Sequence, residues 1–117
     1  MDVFEAVIDL LSYATLELYD GIDWKQDALL SLAGVFAPKR LGVVPVALSR
    51  FLDENPKTTT LRLHLDNDEV GRAAAKGIMD GLPGYTVLDE PPICGKDVNE
   101  QLQLQVGRIK KKEEQER

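Results

Sequence analysis

The sequence predicts an α/β domain with a compact, Rossmann-like layout of about four mostly parallel strands flanked by helices. Short apolar runs alternate with helix-length amphipathic stretches four times, and the connections between them are short. Such alternation is the pattern of βαβ units, whose crossovers lay helices over both faces of a parallel sheet. At 117 residues the chain can bury one core but not two. Residues 1–108 are expected to form that domain, and residues 109–117 a charged, frayed C-terminal tail.

Each element has a local cause. Val3 and Phe4 belong to an apolar run that leads into Glu5 and reads as a first strand. Ile8, Leu11, Tyr13, Ala14, Leu16 and Leu18 recur at helical spacing until Asp20-Gly21, a pair suited to a helix C-terminus. Ala28 to Leu32 is a short apolar run closed by Ala33-Gly34, as in a buried parallel strand. After a Pro38-Lys39-Arg40 loop, Val46, Leu48 and Phe51-Leu52 give a second helix that stops near Asn55-Pro56. Thr59 to Leu65 alternates Leu61, Leu63 and Leu65 with polar residues, the period of a strand, and runs into Asp66-Asn67-Asp68. A third helix is predicted from Glu69 to Leu82, with a Pro83-Gly84 stop, then a strand over Tyr85 to Leu88 broken by Pro91-Pro92. A last helix starts at Val98 and extends to about Val106.

Composition narrows the function classes. With 44% hydrophobic and 29% charged residues the chain is an ordinary globular protein. No apolar stretch approaches the roughly 20 residues that span a bilayer, and no signal pattern opens the sequence, so a cytoplasmic location without membrane contact is expected. The single cysteine, Cys94, has no CxxC partner and no histidine cluster, which argues against redox and zinc roles. Twenty acidic against 14 basic residues leave a net charge of −6, the wrong sign for gripping nucleic acid unaided. The acids are expected to be partly gathered into a cation site and, together with that, basic neighbouring segments to complete the protein. A first strand of about 5 residues is typical, and this one has almost no lead-in, so a longer parent chain is expected.

The acids carry the chemistry. In open parallel sheets ligands bind beyond the carboxyl ends of the strands. Glu5 ends the first strand, and Asp66 and Asp68 end the third, so the three are expected to converge. Converging carboxylates repel and take up protons unless a hard cation neutralises them. Mg²⁺, with Mn²⁺ as a substitute, takes oxygen ligands while leaving positions for water or phosphate oxygens. A metal held this way serves phosphodiester transfer or hydrolysis.

Val3-Phe4-Glu5-Ala6-Val7-Ile8-Asp9, Leu65-Asp66-Asn67-Asp68-Glu69-Val70-Gly71-Arg72 and Gly95-Lys96-Asp97-Val98-Asn99-Glu100 resemble the three Toprim motifs. That family is shared by bacterial primases, type IA and II topoisomerases, small nucleases and a recombination mediator. The sequence most closely resembles the Toprim-like domains of primase-like proteins from bacterial mobile elements. The resemblance implies that Glu5 acts in general acid/base work or as a metal ligand and that Asp66 and Asp68 bind Mg²⁺. It also implies that Asp9, one helical turn after Glu5, and Asp97 join the site. DNA and nucleotides are the implied partners, in DNA replication or processing, within a larger protein. Ala6 replaces the usual glycine after the glutamate, and Asn99 stands where primases tend to have a second aspartate, which weakens the case for a second metal ion.

Other readings compete at several positions. Asp68 also suits a helix N-cap, and Asp9 an acid in a first helical turn. Lys96, Arg72, Lys39 and Arg40 are candidate phosphate contacts. His64, inside the third strand, reads as packing or as a hydrogen-bonded wall. An aspartyl-phosphate receiver would need a lysine and a hydroxyl residue at later strand ends, and no such pair follows the fourth strand. A non-catalytic Toprim scaffold that binds nucleic acid or protein partners is the alternative function.

Overall fold

The computed structural model describes residues 1–32 and 44–116. The elements are β1 (Asp2–Phe4), α1 (Val7–Tyr19), a 3₁₀ turn (Trp24–Gln26), β2 (Leu29–Ser31), α2 (Val46–Glu54), β3 (Thr60–His64), α3 (Glu69–Gly81), β4 (Thr86–Asp89) and α4 (Val98–Glu116). The strands form one sheet in the order β2-β1-β3-β4, and every pair is parallel. The expected α/β class and parallel sheet are therefore present. α4 runs to Glu116, beyond the expected end near Val106, because no proline or glycine follows Gly107 to stop it.

Strand alternation sends side chains to two unlike faces. Val3 with Leu61, Leu63 and Leu65 meets Leu48 and Leu52 of α2 and Ala74, Ala75 and Ile78 of α3 in one apolar cluster. Each fully buried Leu or Ile there contributes about 1.5–3 kcal/mol, so this face holds the domain together. The opposite face is polar and aromatic. Asp2 and Phe4 point there beside Arg62 and His64, their register partners on β3. Phe4 stacks on His64 with centroids 5.0 Å apart, and Tyr13 of α1 closes on both rings at 5.1 and 4.6 Å.

Asp2 is the polar centre of that face and is only 1% exposed. Arg62 forks onto it, with Nε donating to Oδ1 at 2.8 Å and Nη2 to Oδ2 at 3.1 Å. His64 Nε2 lies 2.7 Å from Oδ1, and Arg62 Nη2 also donates to Asp27 Oδ2 at 2.8 Å. Burial pushes the Asp2 carboxyl up, but the hydrogen bonds and charges of His64 and Arg62 outweigh it and hold the group well below the usual carboxylate range. His64 is thus the hydrogen-bonded wall that its strand position favoured.

After β1 the chain crosses to β2 on one side and then returns to β3 on the other, so the strand order reverses between β1 and β3. The crevice beyond the carboxyl ends of these two strands is the place where such sheets hold ligands. Glu5 follows β1 directly, and Leu65-Asp66 follows β3.

Candidate metal centre

Three loops meet at this crevice. α1 starts at Val7 and carries Asp9, which is 4% exposed, in its first turn. The β3–α3 loop supplies Asp66, and the loop before α4 supplies Asp97. The Asn67 N–H donates to the Lys96 carbonyl at 2.6 Å, which pins the third loop against the second. Gly95 makes this approach with a φ of 78°, in the left-handed region that favours glycine.

Carboxylate oxygens of Asp9, Asp66 and Asp97 all lie within 4.8 Å of one another. Asp66 Oδ1 is buried and has no hydrogen-bond partner among the described residues. A buried carboxylate oxygen left bare is costly, and a cation is the partner that would satisfy it. Three hard oxygen donors match Mg²⁺ or Mn²⁺ far better than a soft metal. The residues present therefore fit a divalent cation.

The remaining acids are placed differently. Glu5 adjoins Asp66 across the crevice. Burial, the adjoining Asp66 carboxyl, and the charges of Asp68 and Asp9 together push Glu5 up to about 8. Burial and the charges of Asp97 and Asp66 also raise Asp9, opposed by a hydrogen bond from the Asn99 N–H to Asp9 Oδ1 at 3.2 Å. Asp68 lies outside the trio. Its Oδ1 accepts from the Gly71 N–H at 2.7 Å as the N-cap of α3, and its Oδ2 faces Lys96 Nζ at 3.4 Å. The Gly71 bond and Lys96 keep Asp68 below its usual value, so it stays charged. Asp97 also has a capping role, with Oδ1 accepting from the Glu100 N–H at 2.7 Å.

The candidate phosphate contacts divide too. Lys96 is 58% exposed and among the described residues is tied to Asp68 alone, so its ammonium can swing to an incoming anion. Arg72 is engaged by the Asp89 carboxylate and by the Leu65 carbonyl, and its Nε is buried without a partner among the described residues. Lys39 and Arg40 lie outside the described residues.

Asn99 Oδ1 accepts from Ser12 Oγ of α1 at 3.1 Å. With its N–H on Asp9, Asn99 ties α4 to α1 and fixes the Asp9 carboxylate. Sequence reasoning missed this positioning pair. The available signal was Ser12 one turn after Asp9, on the same side of α1.

The raised Glu5 makes stability depend on pH. Its carboxyl titrates near 4.5 when unfolded and near 8 when folded, so between these values the folded state binds more protons. Stability of the metal-free protein is therefore highest below about pH 4.5 with respect to this group and falls as pH rises toward 8. After allowance for screening the loss is about 1–2 kcal/mol. Thermal unfolding across this window in EDTA should show the slope, and Glu5→Gln should flatten it. An unchanged slope in the variant would place the titration elsewhere.

A family model described as Toprim-like matches residues 3–102. No curated protein and no solved structure matches the chain. Among the described residues no helix is long and apolar enough to cross a membrane.

Proposed function

The chain belongs to the Toprim-like family, and from that premise we propose that it performs Mg²⁺-dependent phosphodiester chemistry on nucleic acid, most simply DNA, as the catalytic module of a larger DNA-processing protein. The observation that carries this reading is the convergence of Asp9, Asp66 and Asp97 around a bare, buried carboxylate oxygen. Primase-like nucleotidyl transfer and strand cleavage use the same parts. The motif residues favour kinship with primase-like proteins of mobile elements.

Asp9, Asp66 and Asp97 would hold the cation. When bound, it supplies a Lewis acid for a phosphoryl oxygen. Glu5, adjoining Asp66, takes a proton from the attacking hydroxyl or gives one to the departing oxygen. Lys96 meets the phosphate, and Asp68 orients Lys96 while capping α3. Asn99 and Ser12 hold Asp9 in place.

Amide shifts in a Mg²⁺ or Mn²⁺ titration test the centre. Shifts are expected at Glu5, Asp9, Asp66 and Asp97, with affinity about tenfold or more weaker in Asp66→Asn. The variant should fold and gain stability without metal, since one of the repelling charges is gone. If no amide moves at millimolar metal, the catalytic reading fails. The second reading then stands: a non-catalytic Toprim scaffold, which the engagement of Asn99 by Ser12 favours because a further metal ligand is missing.

A further inference from the structure

A cavity of about 470 Å³ opens on the polar side of the sheet, between α1, α4 and the loop that follows β4. That size falls within the range of ligand pockets, about 300–1,000 Å³. The cavity continues from the metal crevice along the same three elements. Tyr13 lines it one helical turn after Asp9, Gln101 one turn after Asp97, and His64 two residues before Asp66. A turn advances about 5.4 Å, a step that one nucleotide can span.

The lining selects which part of a nucleotide enters. Tyr13 and His64 form an aromatic end, and the exposed Ile93 belongs to an apolar wall. Glu17 and Glu90 bring carboxylates, and among the described residues no lysine or arginine lines the space. A phosphate would be repelled there, whereas a flat base finds apolar contact and acceptors for its amino hydrogens. Glu17 also stands against the Tyr13 hydroxyl and, with burial, keeps it a neutral phenol. A carboxylate offers about four lone-pair sites, so Glu17 can accept again. Gln101 Oε1 accepts from the Ile93 N–H at 3.3 Å, which turns the amide so that its NH₂ can donate.

We propose that this cavity is a nucleobase subsite, taking the base of the nucleotide whose phosphate lies at the crevice and favouring adenine, cytosine and guanine over thymine. The favoured three each bring an amino group to the carboxylates. Thymine instead sets two carbonyl oxygens around its one N–H, and carboxylates repel them. The inference rests on the proposed chemistry at the crevice and names the part of the substrate that lies beside it.

The test uses the full chain and deoxynucleosides, which carry no phosphate and need no cation. Amide shifts with deoxycytidine or deoxyadenosine are expected at Tyr13, Glu17, Ile93 and Gln101, with thymidine binding about tenfold weaker. Glu17→Gln combined with Glu90→Gln keeps the shape of both side chains and should abolish that preference without lowering the unfolding temperature. Equal binding of thymidine, or an unaltered preference in the double variant, would overturn the subsite. Absence of nucleoside shifts at millimolar concentration while Mg²⁺ still moves Asp9, Asp66 and Asp97 would overturn the subsite alone. Shifts of the cavity amides by argininamide and by no nucleoside would overturn it too, making the space a seat for a basic side chain. Nucleoside binding in a chain that Mg²⁺ leaves unmoved would support the subsite and defeat the catalytic reading.

Discussion

Gly71→Ala is expected to destabilise the protein by about 3 kcal/mol and to weaken metal binding at the same time. Gly71 sits in the first turn of α3, where its N–H meets the Asp68 cap. A Cβ built there falls on the carbonyl oxygen of Asp66, with the carbonyl carbon at 2.9 Å and the amide nitrogen at 3.1 Å. These are backbone atoms at the end of a central strand and cannot rotate away. α3 must lift from β3, loosening Ala74, Ala75 and Ile78 against the leucine cluster. The displaced residue also carries the bare carboxylate oxygen, so a packing defect becomes a ligand defect. A fall in unfolding temperature of about 10 °C or more is expected. Gly107→Ala is the control, since nothing lies within 4 Å of its added methyl, and it should hold or raise stability through helix propensity. Equal behaviour of the two variants would show that α3 does not need close approach at Asp66.

Asp2→Ala is expected to cost about 2–3 kcal/mol, because it takes from the Arg62 guanidinium and the His64 ring the carboxylate that both address, while the partly exposed Arg62 keeps Asp27. Asp2→Asn should cost less, since the amide keeps one acceptor oxygen for Arg62. Replacing the pair together, Asp2→Leu with Arg62→Met, should recover much of the loss, because the charge and its partner leave at once. Urea unfolding of the singles and the double gives the coupling directly. The pH sign is opposite to that of Glu5. A depressed carboxyl contributes stability above its ordinary value of 3.8, and the contribution is lost as pH falls through the folded value. Asp2 thus governs the acid limb, whereas Glu5 acts between about 4.5 and 8. An alanine variant as stable as the wild type would make the buried fork decorative.

The strands and helices were legible because leucine alternation in β3, the Asp20-Gly21 stop and the proline breaks are local signals. The division of the sheet into an apolar face and a polar one was not. Asp2 looks like lead-in to a strand, and its partner Arg62 lies 60 positions away. The site was legible as a set of acids but not as a geometry. Asp66 and Asp68 follow the third strand together, yet only Asp66 enters the trio with Asp9 and Asp97, while Asp68 caps α3. The third member of the converging trio comes from Asp97, whose approach depends on a backbone bond between Asn67 and Lys96 that no side-chain pattern announces. Arg72 carries the right charge for a phosphate, but Asp89 already holds it.

A sheet in which every neighbour is parallel has no hairpin, and this shapes how the protein reaches its native state. No two adjacent strands can zip from a tight turn, so each pairing must close a loop that contains a helix. β1 must wait for Arg62 and His64 before its second edge is covered. Folding should therefore be slow for the size of the chain, in the millisecond-to-second range of topologies rich in distant contacts. During synthesis the crevice cannot assemble until Asp97 has emerged, so affinity for the cation would report completion of the fold.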